Sequence, residues 1–262
     1  MLWKRILSGL VGIPFMLLVV WYGQVPLLVL TAFIMFCGYY EINDILPGNR
    51  KAARFGLMLL GGLMLLADAF FYHGSITGLV LVGVLLLNLL AVVLLYPDFS
   101  PSDGAASLYG TFYVGLITYL YLLRVLPDGV AWLIFALLNT WAADTGAYFI
   151  GKTWGRRKLA PNLSPKKTME GAVGGIVSCL LVSTVFHFYF SEPALVKLLV
   201  LSVLVALAGL LGDLIESVMK RQAGLKDSGK LIPGHGGVLD RFDSFLLIAP
   251  LVYYYVNLTI LG

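Results

Sequence analysis

From Gly212 to Asp243 the sequence reads GDLIESVMKRQAGLKDSGKLIPGHGGVLDRFD, with acids at helical spacing on both sides of a glycine run. Five of the chain's 14 acidic residues lie there, Asp213, Glu216, Asp227, Asp240 and Asp243. Five of its 18 basic residues join them, Lys220, Arg221, Lys226, Lys230 and Arg241. If the helix entering from Leu195 continues past Asp213, then Asp213, Glu216, Ser217 and Lys220 stand at i, i+3, i+4 and i+7 and share one face. Gly229, Pro233, Gly234, Gly236 and Gly237 then break the helix and let a ligand approach the backbone, with His235 set between glycines. Asp240 and Asp243 follow one turn apart on the next helix. Two carboxylate pairs across a glycine-rich turn, with bases interleaved, suit a divalent metal ion and a polyphosphate. A merely solvated loop would need neither a His flanked by glycines nor carboxylates in helical register.

Two further places carry chemistry. Asp144 sits near the end of an apolar stretch, on the order of 9 Å from the basic loop that follows. A carboxylate within a membrane span costs roughly 2.5 to 3.5 kcal/mol at the centre, so it faces a cavity or a partner; a structural salt bridge to a lysine is the alternative. In Leu163-Ser164-Pro165-Lys166-Lys167-Thr168-Met169-Glu170-Gly171, Ser164 and Pro165 have the types of a helix N-cap and first helical residue. Lys166 and Lys167 would then lie in a first turn, where cations are unfavourable unless an anion such as phosphate binds with them. Arg156, Arg157 and Lys158 have the simpler expectation of contact with anionic headgroups.

The elements that position these residues follow from composition. With 60% hydrophobic and 12% charged residues and a mean hydropathy of +0.91, the chain is expected to be an all-α, polytopic integral membrane protein. About nine spans of sufficient length fit, near 6–22, 25–40, 55–71, 76–96, 108–123, 129–150, 171–190, 195–212 and 245–261. A cytoplasmic N-terminus places 16 of the 18 basic residues on one side, leaving only Arg124 and Lys197 opposite. That puts loops 151–170 and 213–243 in the cytoplasm. Residues 1–126, about five spans, read as a membrane scaffold, and residues 127–262, about four spans, as the catalytic region. Within the scaffold, Glu41 is expected to be solvated and the turn 96–104 to be a plain loop. Gly171 and Gly175 form a GxxxG pair suited to close helix packing. Cys37 and Cys179 fall inside spans with no CxxC pattern, so redox chemistry is not indicated.

The run Ser217-Val218-Met219-Lys220-Arg221, then Lys226-Asp227, then Ile232 to Asp243 resembles the signature of the phosphatidate cytidylyltransferases, or CDP-diacylglycerol synthases. Ala143-Asp144-Thr145-Gly146-Ala147-Tyr148 is similar to a second region of that family, and Lys166, Lys167 and Glu170 match its Ser-Pro-Lys-Lys-Thr-x-Glu-Gly pattern. The resemblance implies that CTP and phosphatidate give CDP-diacylglycerol and pyrophosphate, in phospholipid biosynthesis, at the bacterial cytoplasmic (inner) membrane. It also implies a homodimer; no nucleic-acid partner is expected. Mg²⁺ is the expected cofactor, with room for a second cation. Asp213 and Asp240 are the first choices as ligands, with Asp243 and Asp144 behind them and Glu216 in support. Lys166, Lys167, Ser217, Lys220, Arg221, Lys226 and Arg241 are candidates to hold substrate, and Lys167 and His235 to assist catalysis. Two alternatives stand beside this: a CTP-dependent lipid-alcohol kinase resembling dolichol and phytol kinases, and an ion-coupled transporter.

Overall fold

A bilayer offers no water to backbone N–H and C=O groups, so apolar spans satisfy them internally by forming helices. The computed structural model describes residues 2–48, 50–190, 193–232 and 236–261, and for residues 2–9, 11 and 13 the backbone alone. Its helices are α1 (Leu2–Tyr22), α2 (Gln24–Ile45), α3 (Lys51–Ala67), α4 (Thr77–Leu94), α5 (Pro101–Gly115), α6 (Tyr119–Val125), α7 (Gly129–Thr153), α8 (Met169–Tyr189), α9 (Leu195–Gln222) and α10 (Leu239–Val256). A 3₁₀ turn, Leu116–Thr118, joins α5 to α6 into one rod. Every expected span is helical, and eight helical segments among the described residues are long and apolar enough to cross a membrane, besides the 21-residue α1. The chain is an all-α integral membrane protein, with one small hairpin among the described residues.

Contacts divide it into two units, residues 1–125 with 222–242, and residues 126–221 with 243–262. In the first unit, α1 ends at Gly23 (φ 66°), and Arg124 donates from Nε to the Val20 carbonyl at 3.0 Å, occupying an end carbonyl of that helix. The junction of α2 and α3 is held by Arg54, which is 0% exposed. Its Nε donates to Asn43 Oδ1 at 2.8 Å and its Nη2 to the Asn43 and Leu46 carbonyls at 2.6 and 3.1 Å. A buried guanidinium is tolerated because its donors are occupied. The turn 96–104 is more than a plain loop. Ser100 accepts from Asp103 N and donates its own N–H to Asp103 Oδ2, a capping box that starts α5 at Pro101.

The second unit is built on the antiparallel pair α7 and α8. A Cβ on Gly146 would lie 2.6 Å from the Gly174 carbonyl and one on Gly175 3.0 Å from the Ala143 carbonyl, so only glycine allows this approach. Between the two helices lies the hairpin β1 (Lys158–Ala160) and β2 (Ser164–Thr168). Ser164 is therefore not an N-cap, and Lys166 and Lys167 are in a strand rather than a first helical turn. Thr168 caps α8 instead, accepting from Gly171 N at 3.1 Å. The reason is visible beside Ser100. There the residue three places on is Asp103, which closes a capping box; three places after Ser164 stands Lys167, which cannot accept a hydrogen bond.

Candidate active site

Helix α9 runs unbroken through Asp213 to Gln222, which delivers the expected face. Ser217 Oγ donates to Asp213 Oδ1 at 3.3 Å, and Lys220 Nζ to Glu216 Oε2 at 2.6 Å. Helix α10 reaches this face at Gly212, where a Cβ would lie 2.5 Å from the Asp243 carbonyl oxygen and 2.9 Å from Ser244 Cα. The absent side chain thus lets Asp243 approach, and its carboxyl lies within electrostatic range of Glu216 and Asp213. From β2, Lys167 Nζ lies 2.6 Å from Asp213 Oδ2, the two side chains being 21% and 35% exposed. Six of the singled-out residues therefore stand together: Lys167, Asp213, Glu216, Ser217, Lys220 and Asp243. Ser217 and Lys220 are buried among them rather than open to solvent.

Asp240 belongs to the first unit, in the first turn of α10. Its Oδ2 accepts from Ser228 N at 2.9 Å, from Ser228 Oγ at 3.0 Å and from Gly237 N at 2.8 Å. This carboxylate thereby ties Ser228 to Gly237. Lys226 and Arg241 are exposed on the same segment, and His235 lies outside the described residues. In the second unit, Lys166, Arg221 and Asp144 are exposed, Asp144 within electrostatic range of buried Cys179. Glu170, matched to a substrate pattern, accepts from the backbone of Arg156 at 3.0 Å and of Arg157 at 3.2 Å, so it ties the basic loop to the start of α8.

The donor set suits a hard cation. Mg²⁺ takes oxygen ligands, of which one or two are carboxylates and the rest waters and substrate phosphates. Asp213 and Asp243, brought together at Gly212, meet that requirement, although among the described residues no group of three or more His, Cys, Asp or Glu is already arranged to hold a metal. Lys167 occupies Asp213 with the positive charge that the carboxylate needs.

The pattern of the Cytidylyltransferase family matches residues 3–259, nearly the whole chain. This chain belongs to the cytidylyltransferase family. A phosphatidate cytidylyltransferase of Bacillus subtilis is 35% identical over 268 residues, covering 97% of each chain. One of Synechocystis is 35% identical over 302 residues, covering 97% of this chain and 96% of its own. One of Staphylococcus haemolyticus reaches 44% identity over 155 residues, 59% of each. Family membership and the names of these relatives support cytidylyltransferase activity, and the lipid-alcohol kinase reading is not favoured.

Two residues of this region escaped sequence reasoning. Glu41, expected to be solvated, is 2% exposed and accepts from Ser228 Oγ, Val238 N and Leu239 N. Ser228 is 5% exposed and touches both Glu41 and Asp240. An acid at the end of an apolar span resembles any solvated helix end in one dimension; its partners lie nearly two hundred residues away. The only local signal was a Ser between Asp227 and Gly229.

Proposed function

We propose that this chain transfers the cytidylyl group of CTP to phosphatidate, giving CDP-diacylglycerol and pyrophosphate. The observation that carries the reading is the match to one family across residues 3–259, with phosphatidate cytidylyltransferases aligned over as much as 97% of their length. A phosphate oxygen of phosphatidate bonds to the α-phosphorus of CTP while the bond from that phosphorus to the β-phosphate bridging oxygen breaks. The phosphate monoester is already ionised near neutral pH, so no strong general base is needed. The protein's work is positioning and charge neutralisation.

Asp213 and Asp243 are proposed to hold Mg²⁺, with Asp240 and Asp144 as further candidate ligands and a second cation allowed by the number of acids. Bound there, Mg²⁺ would neutralise the phosphate charge that builds on the leaving pyrophosphate. Lys167 can turn from Asp213 to a phosphate oxygen, and exposed Lys166 is placed one residue before it to bind the same polyanion. Lys226, Arg221 and Arg241 are further candidates for phosphate contact. Glu216 holds Lys220, which supports the Asp213 face from within. The bias of basic residues to one side supports a cytoplasmic N-terminus and a site facing the cytoplasm, and the bacterial relatives support an inner-membrane location. A homodimer remains the proposal drawn from family resemblance.

The test uses purified, detergent-solubilised protein with phosphatidate and CTP labelled either in the cytosine ring or at the γ-phosphate. Ring label should enter the lipid and γ-label should leave as pyrophosphate. Transfer of γ-label alone to a lipid alcohol would replace this reading with the kinase.

A further inference from the structure

Burying a carboxylate is costly unless hydrogen-bond donors surround it. Glu41 of α2 meets that condition through partners from a distant part of the chain. Its Oε1 accepts from Val238 N at 2.8 Å, and its Oε2 from Leu239 N at 2.8 Å and Ser228 Oγ at 3.1 Å. Val238 and Leu239 are at the N-terminus of α10, where N–H groups lack helical partners and the helix dipole favours a negative charge. Two glycines make room for the carboxylate. A Cβ on Gly237 would lie 2.6 Å from Glu41 Oε2, and one on Gly229 2.6 Å from Oε1. The end of α2 is itself fixed, since buried Arg54 binds Asn43 and Leu46 just beyond Glu41.

We propose that Glu41 is a positioning residue for the transfer reaction: it pins Ser228, Val238 and Leu239, and with them Asp240 and Arg241 at the start of α10. Ser228 couples the two carboxylates, lying 3.1 Å from Glu41 Oε2 and 3.0 Å from Asp240 Oδ2. The role rests on the function proposed above. It requires a carboxylate, because each oxygen accepts a backbone N–H. A glutamine in either orientation would turn its NH₂ towards one of those donors.

The experiment compares full-length wild type with Glu41→Gln, Ser228→Ala, the double variant and the surface control Asp44→Asn. Steady-state turnover, the Mg²⁺ concentration for half activity and tryptic cleavage after exposed Lys226 and Lys230 are measured on purified protein. For Glu41→Gln, kcat should fall by about ten- to a hundredfold with KM for phosphatidate within about threefold, the pattern of a lost geometry rather than lost binding. The Mg²⁺ requirement should rise, and cleavage of the loop should accelerate by about tenfold or more, as expected when local opening becomes easier. Ser228→Ala should do less, and the double variant should lose less than the product of the two, because they share one contact. Asp44→Asn should match wild type. Unchanged turnover and cleavage in Glu41→Gln, or a loss explained wholly by less folded protein, overturns the proposal. If Glu41→Gln does not fold, Ser228→Ala decides, with unaltered cleavage and Mg²⁺ dependence counting against the role. A wild type that transfers no cytidylyl group sinks the proposed function, while the cleavage comparison still judges the hold of Glu41 on its loop.

Discussion

Asp213 is bound on both oxygens, by Lys167 at 2.6 Å and Ser217 at 3.3 Å, so its negative charge is balanced before any substrate arrives. Because the pair with Lys167 is partly exposed, it contributes little to folding, as is usual for ion pairs open to water. Its proposed use is chemical. Lys167→Ala should lower kcat/KM by about ten- to a hundredfold, the loss of one charge-assisted phosphate contact, with the thermal midpoint unmoved. Asp213→Asn should abolish turnover at limiting Mg²⁺ and regain part of it as Mg²⁺ is raised, because a weaker ligand shifts metal affinity. Steady-state assays across Mg²⁺ concentrations check both; full activity of Asp213→Asn at limiting Mg²⁺ would remove this residue from the metal's shell. The helical register of Asp213, Glu216, Ser217 and Lys220 was legible because it needs only an unbroken helix. The partner on β2 was not, since strand and helix meet only in three dimensions.

Helices α7 and α8 place both β2 and Asp144, and their contact rests on small residues. A side chain on Gly174 would collide with Ile150, whose Cβ lies 2.5 Å from the added Cβ, and with the Gly146 carbonyl at 2.9 Å. Gly174→Leu should therefore cost about 1 to 3 kcal/mol or more by overpacking. The checking measurement is the thermal midpoint in detergent, and an unshifted midpoint would mean that the two helices are not held at this distance. The GxxxG pair Gly171 and Gly175 announced a close contact, and α7 supplied it. The contrast between Ser100 and Ser164 marks where local patterns stop deciding. Both precede proline, but only Ser100 has an acid at the third position, and so only it begins a helix.

For the chain as a membrane protein, the proposed orientation is open to direct test. Both native cysteines, Cys37 and Cys179, are buried, so single introduced cysteines can be read over a low background. Lys226→Cys should react with a membrane-impermeant thiol reagent from the cytoplasmic side, and Lys197→Cys only from the opposite side. Labelling of both from one side would contradict the charge-based topology. The first 125 residues do not stand apart from the glycine-rich segment. They gather with residues 222–242, and through Glu41 they contact the loop of Asp240.

Sequence alone determined the all-α membrane architecture, the positions of the helical spans, the family and the acids on α9 and α10, because each depends on composition, on a 3.6-residue period or on contiguous motifs. Tertiary structure alone decided that Lys167 reaches Asp213 from a strand, that Gly212 admits Asp243, and that Glu41 is buried against the start of α10. Each of these joins segments distant along the chain, and each is set by how closely two backbones approach. That distance is governed by packing between elements, for which a linear pattern of residue types carries no coordinate.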